Sequence, residues 1–204
     1  MNINKLMKEM RSLMQKNDQL TNKLASEFFV GNAKNNHFSI EVKINGMFDP
    51  ISILLDKNLL NNKYKIELEN LIVNAFNNAH EIVDQNTKTT ENQFNPEDKI
   101  INSLNKLLNG SLDNYQEKTN KIENEINTKF YANTNTDLIN LTMSGNGKMI
   151  SINIKDAILD EEEVDLLQDL IINSIKDIQA KIKKESELDM QNAFSKMIPK
   201  NFSK

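Results

Sequence analysis

The chain has 204 residues, 38% of them hydrophobic and 26% charged, with a formal net charge of −4; this fits one or two thin-cored, elongated, helix-rich domains and not a disordered polymer. It has no cysteine, which excludes a disulfide framework, thiolate metal sites and cysteine nucleophiles. The N-terminus lacks an apolar leader core and no run approaches the roughly 18 apolar residues of a membrane span, so a soluble intracellular protein is expected.

The first predicted element is a long helix. Ile3, Leu6 or Met7, Met10, Leu13 or Met14, Asn17, Leu20 and Leu24 recur at nearly 3.5-residue spacing, a narrow stripe that suits packing along a partner helix. "SEFFVG" (26–31) reads as a first strand. "FSIEVKIN" (38–45) alternates Phe38, Ile40, Val42 and Ile44 with polar residues, the period of a half-buried strand. Gly46 supplies a hairpin turn where positive φ is cheap only for Gly or Asn, and "ISILL" (51–55) returns with Ser52 facing out. Leu68, Leu71, Ile72, Ala75, Phe76, Ala79 and Ile82 then form a helical apolar stripe.

Residues 87–95 are polar enough for a linker, and Asn95, Pro96, Glu97 and Asp98 start a second long helix carrying Ile101, Leu104, Leu108, Ser111, Tyr115 and Ile122. The order then repeats. "TKFYAN" (128–133) and "LINLTMS" (138–144) read as strands, Gly145-Asn146-Gly147 as a turn, and "ISINI" (150–154) as the return. Asp160 can cap a last helix whose first turn holds Glu161 to Glu163, with Glu163 at capping-box spacing. Its stripe is Leu167, Leu170, Ile171, Ser174, Ile175, Ile178 and Ile182.

At a fixed offset of 99, positions 38 to 79 match their counterparts identically at ten places without a gap. One unit has been written twice. The predicted fold is α+β: two tandem α-β-β-β-α units, residues 1–94 and 95–204, with three-stranded antiparallel sheets flanked by long helices. Matching apolar faces need matching partners, so approximate two-fold symmetry is expected, with Ile53, Leu71 and Phe76 buried opposite Ile152, Leu170 and Ile175.

These residues carry a resemblance. Asn45-Gly46, Leu55-Asp56 through Leu59-Leu60, and Leu68 through Ala79 with Ala75-Phe76-Asn77 resemble the core of the YbaB/EbfC family of bacterial nucleoid-associated proteins. The second copy departs at Ser174-Ile175-Lys176, yet ends in "NAFSKMIPKNF", similar to the family's Pro- and Phe-containing tail. The resemblance implies a DNA-binding protein of the cytoplasmic nucleoid with little sequence preference, one unit long in most members and dimeric. Two units in one chain would form an intramolecular pseudo-dimer, with the second association made intramolecular.

Charge is unevenly placed. Lys5, Lys16 and Lys23 fall within about 20° of one another on a helical wheel, with Lys8 and Arg11 further round. Against them residues 1–25 hold Glu9 and Asp18, a net of +3, whereas residues 98–125 have a net of −1. Phosphate contact needs local positive charge because released counterions supply most nonspecific affinity. The candidate DNA-binding residues are therefore Lys5, Lys8, Arg11, Lys16 and Lys23, then Lys181, Lys183 and Lys184. Solvation of helix faces accounts for the same lysines.

Other chemistry finds little footing. His37 and His80 have no neighbouring His or paired acid, and Ser52 and Ser151 have no local base. Glu161 to Glu163 complement a helix dipole. No phosphate loop, Ser-centred elbow or HExxH occurs. No enzyme, cofactor, metal, membrane or small-molecule substrate is expected; the expected partner is duplex DNA, with self-association as a further option. The alternative is an assembly module that kept the fold and lost DNA binding, as the acidic second half would permit.

Overall fold

The computed structural model describes residues 3–93 and 111–195. In chain order these form α1 (Ile3–Ser26), β1 (Phe28–Lys34), β2 (Ser39–Asn45), β3 (Pro50–Leu54), α2 (Lys65–Gln93), α3 (Ser111–Asn127), β4 (Phe130–Ala132), β5 (Ile139–Ser144), β6 (Met149–Ile154) and α4 (Val164–Ser195). The strands make two antiparallel sheets, ordered β1-β2-β3 and β4-β5-β6. Both repeats therefore have the expected element order.

Alternation sets each buried face. Ile40, Val42 and Ile44 on β2, and Ile139, Leu141 and Met143 on β5, are buried beneath α2 and α4 with Ile53, Phe76, Ile152 and Ile175. Leu71 is buried as expected, but its counterpart Leu170 is only half-buried. The α2 stripe drifts by one residue at its end: Val83 is buried, while Ile82 is 38% exposed.

The return strands depart from simple alternation. Their register with the middle strand shifts between Lys43 and Ile44, and again between Thr142 and Met143. Ile51 and Ile150 are the extra residues of these bulges, and each is exposed although Ile53 and Ile152 are buried. A bulge turns one residue out of phase.

The turns use their glycines differently from expectation. Positive φ falls on Phe48 (66°) and Gly147 (84°), which are counterparts at the repeat offset, and not on Gly46. Gly46 is required by a close approach. Its N–H donates to the carbonyls of Leu24 and Glu27, and a Cβ there would lie 2.6 Å from the Leu24 oxygen. Gly145 meets Ile126 at the root of α3 in the same way, with a Cβ falling 1.9 Å from its carbonyl oxygen.

Two more expectations are corrected. Residues 87–93, assigned to a linker, are the last part of α2; the stretch 94–110, with its Asn95–Asp98 helix start and the 94/95 junction, lies outside the described residues. On α1, Met14 and Asn17 are exposed, while Leu20 and Leu24 are half-buried. Among the stripe positions whose side chains are described, the covered ones are Leu20 and Leu24, toward the end where α1 meets β2.

The two repeats touch. Helix α2 packs on β1 and β2 and also reaches β6, while α4 packs on β4 and β5 and also reaches β3. The open edge of β6 is finished by side chains of the other repeat. Asn77 accepts from the Met149 N–H and donates to its carbonyl, both at 2.9 Å, and Glu69 accepts from the Ile154 N–H at 2.8 Å. Lys65 pairs with Asp156 at 2.8 Å, and Gln179 donates to the Phe48 carbonyl at 2.8 Å.

Candidate nucleic-acid interface

The first basic set stands on α1. Its root is fixed by the Gly46 hydrogen bonds, and Met14 through Gln19 are all exposed, so this part of the helix presents its side chains to solvent. Lys8, Arg11, Lys16 and Lys23 are exposed; Lys5 belongs to the helix, but its side chain lies outside what is described. Lys23 stands 3.5 Å from Glu27, an exposed i,i+4 pair, which contributes at most a few tenths of a kcal/mol. It remains available to a stronger anion.

The second set, on α4, is not uniform. Lys183 and Lys184 are exposed. Lys181 is committed within the protein: its ammonium donates to the Ala132 carbonyl, Thr134 Oγ1 and Asp177 Oδ2 at 2.8–2.9 Å. The Lys181 hydrogen bond, then the Thr134 N–H, holds the Asp177 carboxyl below the usual carboxylate range. Two turns on, Glu185 is likewise held low, by Lys129 first and the Tyr131 hydroxyl second. These charges fasten β4 to α4 and leave less field for a ligand.

Acidic residues gather elsewhere. Asp160 accepts from the Glu162 N–H at 3.0 Å, as a cap should, though a 3-10 turn over Glu161–Glu163 precedes α4. Among the described residues, no group of three His, Asp or Glu is placed to hold a metal ion. Ser151 is exposed and Ser52 half-buried; His37 is exposed in the β1–β2 loop.

Sequence reasoning missed two features of this region. His80, to which the sequence assigned no partner, is 4% exposed, its ring tilted by 35° against the Phe48 ring at 4.4 Å and set against Gly147 of the other repeat. The second is Lys176. It faces solvent beside Lys183, on the wall of a groove between α4 and the β2–β3 hairpin. A signal for it exists in the repeat itself: at the offset of 99, Lys176 stands where the first copy has Asn77, and Lys183 where it has Asp84.

A model of the YbaB/EbfC DNA-binding family matches the chain twice, over residues 1–97 and 102–197. A nucleoid-associated protein of Ligilactobacillus salivarius is 33% identical over 85 residues, covering 41% of this chain and 81% of the relative. One of Enterococcus faecalis is 36% identical over 73 residues, 35% of this chain and 70% of the relative. One of Nitratiruptor is 34% identical over 88 residues, 43% and 81%. No solved structure matches the chain. Two family units in sequence, on two sheets of the same strand order, place this chain in the YbaB/EbfC DNA-binding family.

Proposed function

We propose that this protein binds duplex DNA in the bacterial nucleoid as a single-chain pseudo-dimer, without catalysis and with little sequence preference. The observation that carries the reading is α1: a helix bearing exposed Lys8, Arg11, Lys16 and Lys23, in a chain that a DNA-binding family matches twice. The nucleoid assignment draws on the names of the relatives. The pseudo-dimer draws on the reciprocal reach of α2 to β6 and α4 to β3. Weak preference follows from chemistry, since lysines that meet phosphates carry no sequence information themselves.

The net charge of −4 makes salt the decisive variable. Titrating a mixed-sequence duplex at rising salt should give log affinity falling linearly with log salt, by about 0.9 per neutralised phosphate. No binding at low salt would sink the reading and leave the assembly module, to which the acidic second repeat points.

A further inference from the structure

The groove between α4 and the β2–β3 hairpin differs in chemistry from the place its repeat partner occupies. In the second sheet, the Met149 N–H at the strand edge needs an acceptor, and the Asn77 amide provides it while also donating to the Met149 carbonyl. The first sheet has Pro50 at that position. Proline has no N–H to satisfy, so the position equivalent to Asn77 is released from edge duty. It carries Lys176.

A second exchange follows the first. Asp84 on α2 is replaced by Lys183 on α4, and Glu81 by Ala180. The groove has a volume of about 410 Å³ and is lined by Asn45, Asp49, Pro50, Lys176, Gln179 and Lys183, among others. Its one acid, Asp49, accepts from the Asn45 amide at 2.9 Å. Lys176 has no ion-pair partner among the described residues, and Lys183 only an exposed Glu187 at 4.0 Å. Gln179 holds the hairpin to α4 through the Phe48 carbonyl, which keeps both walls in place.

We infer that this groove is a docking site for the phosphodiester backbone of duplex DNA, with Lys176 and Lys183 as the phosphate contacts. The two lysines are seven residues apart on one helix, about 10.5 Å along its axis. Stems that far apart let each ammonium take a separate phosphate of a polyanion, which a single phosphate ion does not offer. The inference rests on the DNA-binding reading and adds a surface that α1 does not supply.

The test is fluorescence anisotropy of a labelled mixed-sequence duplex with the full chain. The Lys176→Gln/Lys183→Gln double variant should bind several-fold more weakly, with a salt slope shallower by about 0.9 for each phosphate no longer neutralised. The matching Arg pair should retain affinity, and Lys57→Gln, an exposed lysine outside the groove, should leave it unchanged. Circular dichroism should be the same for all. Wild-type binding that the double Gln variant does not weaken would overturn the groove and leave DNA binding standing. An equal loss from Lys57→Gln would show bulk charge instead of a site, and overturns it too. Displacement of the duplex from wild type, but not from the double Gln variant, by inorganic phosphate at matched ionic strength would assign the groove to a small anion. Absence of wild-type binding would overturn the groove and the DNA reading together.

Discussion

His80 sits where the two repeats meet, with its ring against Phe48 and beside Gly147. Its Nδ1 has no hydrogen-bond partner, and the Asp84 carboxylate is 4.0 Å away. Burial lowers its pKa from the ordinary 6.5; Asp84 opposes this, Lys148 adds to it, and the Asn146 backbone opposes it. The unfolded chain therefore binds a proton more readily than the folded one below pH 6.5. Stability is fully present above that value and is lost as pH falls through it toward the lowered folded value. Denaturant midpoints should decline from about pH 7.5 to about pH 5.5, and His80→Gln, the residue its counterpart Gln179 has, should flatten that decline. An unchanged pH slope in the variant would exonerate His80. Two other substitutions act through packing alone. Phe76→Ala, at a fully buried site, should cost about 3–5 kcal/mol in chemical denaturation. Gly31→Ala should also destabilise, because its Cβ would fall 2.2 Å from the Ala79 nitrogen. Phe76 was legible from helical period; His80, four residues on, was not, because its burial depends on a turn of the other repeat.

Among the elements, the strands and helices were legible because their apolar periods are clean. The bulges were not, since nothing in "ISI" marks the first isoleucine as the extra residue. Nor was the division of labour between glycines, as the close approach of α1 to Gly46 is a tertiary fact. The second repeat compensates as a set: Gly31 against Ala75 becomes Asn133 against Ser174, with the Asn133 amide bonding both Ile139 and Leu141 of β5. Helix α1 gives the prediction at this scale. Replacing Lys5, Lys8, Arg11, Lys16 and Lys23 by Gln should weaken duplex binding uniformly across sequences and flatten the salt slope, with the fold kept because Gln forms helix nearly as well as Lys. The parallel change at Lys99, Lys106, Lys118 and Lys121 should matter less, since Asp98, Asp113, Glu117, Glu123 and Glu125 offset their field. Equal losses would mean that the two halves grip DNA alike.

For the whole molecule, the contacts between repeats can be weighed against the covalent link. A protease site placed between the two family matches, in residues 98–101, would convert one chain into two. The cut halves should co-elute at high concentration and separate on dilution, because cutting removes the roughly millimolar effective concentration that a short linker provides. Asn77→Ala should shift that separation by about 1–3 kcal/mol, the cost of leaving a buried peptide unit unpaired. Halves that never co-elute would remove the intramolecular pseudo-dimer. Duplication itself was legible in the ten identities; which side chains join the copies was not, because joining residues such as Asn77 and Gln179 are those the copies do not share.

The outer edges of β3 and β6 are finished by unlike means, and this bears on how the protein would aggregate. Proline opens β3 and denies an N–H to any incoming strand by covalent structure alone, so that protection survives partial unfolding. At β6 the protection is borrowed from Asn77 and Glu69 and departs whenever α2 lifts away. Fibril growth should therefore nucleate on the second sheet. Seeding assays at mild denaturant should show Met149→Pro suppressing thioflavin-positive assembly, while Pro50→Met creates a second nucleating edge.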